Sequence, residues 1–297
     1  MLLVSRGPCV ALLLCVSLLG CARNPVSGRP EVVLVSRAQE VEIGRAEARK
    51  VEESMGLVDD PELQAWVGQL GARLAGRSPR QDVAYRFAVV DVAEPNAFAL
   101  PGGYVYVSRG LLVLVNDTDE LAAVLGHEIG HVAARHSVRR LTVAAPFALA
   151  TGIPALLTGL VSPSLGETLA ETGRTTGGLV LAPYGRGQER DADRIGMEIA
   201  AGAGYDPKAL ARFLATLERE EVAAGTARDR TSWLDSHPAT PERRRDAERR
   251  AQKLSDAARP ETPDGRSEVL ARLDGLVVGP DPSGGLFVEG RFLHPGL

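Results

Sequence analysis

The stretch Gly126-His127-Glu128-Ile129-Gly130-His131 sets two histidines four residues apart with a glutamate beside the first. On an α-helix residues four apart share a face, so both imidazoles can address one ion while the carboxylate stands next to the position where water binds. This is the arrangement of zinc-dependent hydrolysis, in which the ion acts as Lewis acid and the glutamate moves the proton. A catalytic zinc takes three protein ligands and keeps one position open, so a third ligand must come from elsewhere in the chain. An extended pattern with Gly at 134 and His at 137 would supply it locally, but those positions hold Ala134 and Ser137. Residues 188–193 carry Glu189 and Asp193 one helical turn apart. Glu189 is the candidate third ligand, and Asp193 can accept the outer N–H of a ligating histidine and fix its tautomer. Taken alone, this pair reads more readily as an exposed acidic helix face. Beside His127 and His131 the metal reading takes precedence.

These residues need a helix pair and a sheet to hold them. A helix is expected from near Asp117, whose pairing with Glu120 fits an N-cap, through Leu121, Leu125 and His131 towards His136. A second, over 188–202, would carry Glu189. Residues 85–92 and 104–108 are rich in β-branched and aromatic side chains and read as strands, with a Pro- and Gly-punctuated loop over 94–103 between them. Further helices are expected over 36–55, 61–74 with Pro61 in the first turn, 207–225 and, highly charged, 240–258. Residues 276–297 suggest a β-hairpin. There is no internal repeat. The class is therefore α+β, mainly helical. Residues 141–161 are nearly uncharged, but Pro146, Gly152, Pro154 and Gly159 break the run, which favours short helices packed over the active site above a membrane span.

The chain has 297 residues, 44% hydrophobic and 24% charged, enough for one substantial core, and a net charge of -4. That charge excludes nucleic acid as an expected partner, because phosphate binding needs a concentrated positive field. All three cysteines, Cys9, Cys15 and Cys21, lie at the start. Residues 1–20 have the order of a secretory signal, a cation followed by a short apolar run. The end of that run, Leu18-Leu19-Gly20-Cys21, resembles the lipobox of bacterial lipoproteins, which implies cleavage before Cys21 and acylation of its thiol. Residues 21–35 then read as a lipid-anchored tether. Ala22 stands where Asp would retain such a lipoprotein at the inner membrane, which points to the outer membrane of a Gram-negative bacterium and a body in the periplasm.

Five segments in order resemble the M48 metallopeptidases, in particular their periplasmic lipoprotein branch: residues 24–28, 95–103 with the following strand, 120–131, 189–193, and Ser236-His237-Pro238 with Arg243. The resemblance implies a zincin-like core of the gluzincin type over 36–258, followed at 259–297 by a linker and a small hairpin-like appendage. It implies one zinc per chain on His127, His131 and Glu189, Glu128 as general base and Asp193 as the group orienting a ligand. His237 would stabilise the oxyanion or occupy the water position as an inhibitory fourth ligand, and Arg243 would face the same cleft. His136 and His294 gain no role beyond surface or supporting histidines. Substrate is expected to add as a strand to a sheet edge at Tyr104, Val105, Tyr106 and Val107, with Asn96 nearby. The implied substrates are unfolded or misassembled envelope proteins. Rival readings are a latent, chaperone-like assembly factor of the outer membrane and a zinc amidase acting on cell-wall peptides.

Overall fold

Asp117 starts the central helix: its side chain accepts from the backbone N of Glu120 at 2.8 Å, closing one of the amides that a helix N-terminus leaves open. The computed structural model describes residues 21–26, 28, 30–33, 35–142, 184–224, 233, 237, 240–254, 265–276, 286–288 and 291–293. Their elements, in chain order, are β1 (Cys21–Arg23), β2 (Pro30–Val32), α1 (Arg37–Met55), α2 (Pro61–Ala75), β3 (Arg86–Val90), β4 (Ala97–Ala99), β5 (Tyr104–Ser108), α3 (Arg109–Leu112), α4 (Thr118–Ala133), α5 (Arg186–Gly202), α6 (Ala209–Ala224), α7 (Pro241–Leu254), α8 (Gly265–Leu273), β6 (Leu286–Val288) and β7 (Arg291–Leu293). A short helical stretch over 136–142 follows α4. The fold is mainly helical with a small mixed sheet, as the sequence implies. The expected helices over 141–161 fall almost wholly outside the described residues, as does His294. Among the described residues no helix is long and apolar enough to cross a membrane.

Helix α4 is buried on nearly every side. Leu121, Val124, Leu125 and Ile129 pack into one core with Leu63, Val67, Leu70 and Leu74 of α2, Val105 and Val107 of β5, and Phe213 and Leu214 of α6. Burying each such side chain contributes about 1.5–3 kcal/mol, so the helix carrying both histidines is anchored along its length.

In the sheet the strand order is β3-β5-β4, with β3 parallel and β4 antiparallel to β5. Residues 104–108 therefore form the central strand. Tyr104, Val105, Tyr106 and Val107 are buried, and their backbone is paired with β3 on one side and β4 on the other. The expectation that substrate pairs along them is corrected: a strand already flanked on both sides has no edge to offer. The strands at the edges are β3 and β4.

Two terminal segments also differ from expectation. Asn24, placed in a tether, is buried; its Nδ2 donates to Glu31 Oε1 at 2.9 Å and towards the carbonyl of Ala134 at 3.4 Å, just past the end of α4. Within the stretch expected as a linker, residues 265–273 form α8. Its Glu268 accepts from Trp66 Nε1 at 3.0 Å and from the Thr118 hydroxyl at 2.8 Å, and Val269 is buried. Strands β6 and β7 pair antiparallel.

Behind α4 lies a buried ion cluster. Glu40 of α1 receives both terminal nitrogens of Arg80, at 2.8 and 2.9 Å, and Nη2 of Arg135 at 3.0 Å. Arg80 also donates to the Val132 carbonyl at 3.0 Å, and Arg135 has a φ of 56°. A left-handed backbone costs a non-glycine residue of order 1 kcal/mol or more and persists where contacts over-determine it. Here the Glu40 pair does so.

Candidate active site

The site is made where α4 and α5 cross with almost no side chain between them. A Cβ added at Gly126 would meet the Gly196 carbonyl oxygen at 2.8 Å, one at Gly130 would meet that of Ala192 at 2.8 Å, and one at Gly196 would meet the backbone N of His127 at 2.6 Å. Glycine at these positions lets two backbones approach where any side chain would hold them apart. The crossing brings Glu189, near the start of α5, against the histidine face of α4.

His127, His131, Glu189 and His237 are all buried, and one donor atom from each lies within 4.8 Å of every other. His127 Nε2 is 3.0 Å from His131 Nε2 and 3.5 Å from Glu189 Oε2, and His131 Nε2 is 3.4 Å from Glu189 Oε1. His237 Nδ1 lies 3.2 Å from His127 Nε2 and 3.0 Å from Glu189 Oε1. Bonds of 2.0–2.1 Å in a tetrahedron put neighbouring ligand atoms about 3.3 Å apart. The observed spacings scatter around that value, so the donor set fits zinc.

Around these donors sits a layer that fixes them. His127 Nδ1 lies 2.8 Å from Asp193 Oδ1, and Arg243 grips Asp193 with Nε and Nη2 at 2.9 and 2.7 Å while its Nη1 reaches Glu189 Oε2 at 2.8 Å. Arg243 thus braces two carboxylates. His131 Nδ1 is 2.9 Å from His136 Nδ1, and the His131 ring stacks on Tyr184 at 3.8 Å with Arg140 over the far side of that phenol, also at 3.8 Å. Trp233 donates its indole N–H to Glu128 Oε1 at 3.3 Å and stacks on His237 with centroids 4.8 Å apart. Among the described residues Glu128 Oε2 and His237 Nε2 are buried without a hydrogen-bond partner.

Electrostatics follow from these contacts. Burial pushes the Glu189 carboxyl up, but His237, His131 and His127 outweigh it and hold the group far below the usual carboxylate range. Asp193 is likewise held low, Arg243 and His127 overcoming burial. Burial lowers His127, yet Asp193, Glu189 and Glu128 reverse the sign and leave it raised. Burial leaves His131 well below its ordinary value and brings His136 down to about 3. Tyr184 is pushed up to about 12 by burial.

The structure therefore brings together His127, Glu128, His131, Glu189, Asp193, His237 and Arg243. It does not bring Tyr104, Val105, Tyr106 or Val107 to an open edge, as noted above. Sequence reasoning passed over Trp233 and Tyr184, single aromatics with no motif spacing, and gave His136 no particular role.

Comparison with known proteins agrees with this geometry. A model described as Peptidase family M48 matches residues 61–251. The chain is 30% identical over 226 residues, 74% of its length and 45% of the relative's, to the beta-barrel assembly-enhancing protease of Escherichia coli K12. It is 31% identical over 218 residues, 72% and 44% of the two lengths, to the putative beta-barrel assembly-enhancing protease of Vibrio cholerae. The mitochondrial metalloendopeptidase OMA1 of Schizosaccharomyces pombe is 31% identical over 183 residues, 62% and 51% of the two lengths. The chain thus spans about half the length of the relatives it matches. A family match that runs from α2 through α7, and so encloses every one of the converging ligands, shows that the chain belongs to peptidase family M48.

Proposed function

We propose that this chain is a zinc endopeptidase of the bacterial envelope, lipid-anchored through Cys21 on the periplasmic side of the outer membrane, that cuts extended segments of unfolded or misassembled envelope proteins. The observation that carries the proposal is the set of His127, His131 and Glu189 donors at zinc-ligand spacing with Glu128 beside them. Zinc bound there supplies Lewis acidity towards the scissile carbonyl and towards water. Glu128 is the general base. Its Oε1 is held by the Trp233 indole, which leaves Oε2 to take the proton of the attacking water and return it to the departing amine. His237, whose Nε2 lies 3.6 Å from Glu128 Oε1, is the candidate donor to the developing oxyanion. Arg243, committed to Asp193 and Glu189, holds the ligands instead.

Substrate addition moves to β4. The Asn96 carbonyl accepts from Ser108 N and Leu100 N donates to the Tyr104 carbonyl, so even-numbered residues face β5 and the backbone groups of Ala97 and Ala99 face outward. Ala97 and Ala99 are buried, so an extended peptide can pair there, with little sequence preference, once the contact that covers this edge is displaced; Asn96, whose Oδ1 has no hydrogen-bond partner among the described residues, stands at the strand's entrance. Trp233 N already bonds the outward carbonyl of Pro95 at 2.7 Å. With His237 Nδ1 against the ligand donors, this contact favours a second reading of the same site, a restrained form in which His237 blocks the fourth ligand position and Trp233 the strand edge.

The test is cleavage of an unfolded model protein by the purified chain with zinc content measured. Glu128→Gln is expected to reduce turnover by at least about 10²-fold with zinc still bound at one per chain; His237→Ala lowers turnover if His237 serves the oxyanion and raises it if the restrained form is the resting state. Zinc bound but parent and His237→Ala both inert on unfolded protein would move the chaperone-like or cell-wall readings ahead; no zinc in the parent would overturn the site.

A further inference from the structure

We infer that His136 is a positioning residue for the metal site, accepting the Nδ1–H of His131 and so fixing the tautomer and ring angle with which His131 presents Nε2. The inference rests on the zinc reading of His127, His131 and Glu189.

Its observations are geometric. Both histidines are buried, and their Nδ1 atoms are 2.9 Å apart. His131 Nε2 is the atom that converges on His127 and Glu189. A neutral imidazole carries one N–H and one lone pair, so ligation through Nε2 requires the proton on Nδ1, and His136 Nδ1 must then be the acceptor. His136 in turn carries its proton on Nε2, which among the described residues is buried without a partner. A buried unpaired donor is a cost that folded proteins rarely carry, and an acceptor for a ligating imidazole is a reason to carry it. Ligating histidines generally have such an outer partner, and the partner tunes metal affinity. His127 has a carboxylate in that position, Asp193; His131 has His136.

Chain geometry points the same way. Five residues along an unbroken helix turn through about 500°, which would leave His136 some 140° away from His131 around the axis. Instead α4 ends at Ala133, Arg135 takes its left-handed φ of 56°, and a new helical stretch begins at 136. The break folds His136 back onto His131, and Glu40 holds it there through Arg135 Nη2 at 3.0 Å. The strained residue thus sits where the connection needs it.

The experiment measures zinc affinity of the metal-free full-length chain by competition with a chelating dye, for the parent, His136→Asn, His136→Gln and His136→Leu, with circular dichroism to establish folding. Asn Oδ1 hangs from Cγ as His Nδ1 does and keeps an acceptor in place; Gln carries its oxygen one atom further, and Leu has none. Asn is expected to stay within about threefold of the parent, and Gln and Leu to lose about 10–100-fold. Should Leu fail to fold, the contrast between Asn and Gln decides. A parent that binds zinc while Asn and Gln bind equally overturns the role of His136 alone. A parent that binds no zinc overturns the metal site and this proposal with it.

Discussion

Two imidazoles on one helix are held by chemically different partners, a carboxylate braced by arginine for His127 and a second imidazole for His131. In the metal-free protein Asp193, Glu189 and Glu128 leave His127 with a raised pKa against the lowering effect of burial. The protonated form is thus favoured by the metal-free fold, a stabilisation present below the ordinary histidine pKa of about 6.5 and lost as pH rises through the raised one. Zinc requires the neutral ring, so apparent affinity should fall as pH drops through that raised value, with proton release on binding. Titration in buffers of different ionisation enthalpy checks this: a flat affinity between about pH 6 and 8 rejects it, and Asp193→Asn should shift the fall to lower pH. At this scale the sequence was readable where spacing alone places atoms. His127, Glu128 and His131 are local to one helix, and Glu189 with Asp193 to another. Trp233, Tyr184 and His136 depend on which segments meet and where α4 breaks, and an isolated aromatic or a histidine five residues on carries no periodic signal of either.

The crossing of α4 and α5 turns two local motifs into one ligand set. Because Gly196 has the backbone of His127 where its Cβ would be, Gly196→Ala must push the helices apart. Overpacking of this kind costs about 1–3 kcal/mol, and the displacement should draw Glu189 from the histidines and lower zinc affinity. Gly68 of α2, with nothing within 4 Å of an added Cβ, is the control: Gly68→Ala should be neutral or stabilising by up to about 1 kcal/mol. Thermal unfolding and zinc titration of both variants test the pair, and a Gly196→Ala protein matching Gly68→Ala in both would reject close approach as the positioning device. Helices were legible as elements because their apolar periods and caps are local. Strand order was not. Residues 104–108 look the same in sequence whether central or at an edge, and only the short β4, three residues long, decides the matter by pairing on their far side.

Over the whole molecule the termini are drawn onto the catalytic helix, α8 against its start through Glu268 and Thr118, and Asn24 against its end at Ala134. The lipobox reading predicts that Cys21→Ser moves the protein from the membrane to the soluble fraction; an unchanged partition, or no acyl mass on the parent, would reject acylation at Cys21. If the anchor is as read, its connection is short. Two residues, Ala22 and Arg23, separate Cys21 from Asn24, three peptide steps and at most about 11 Å of chain, and Asn24 is buried and fastened to the body. An enzyme on so short a leash has a working radius set by its own dimensions. Under that reading it would sample a thin layer of periplasm above the bilayer at high local concentration, and substrates would enter that layer chiefly by being at the membrane themselves.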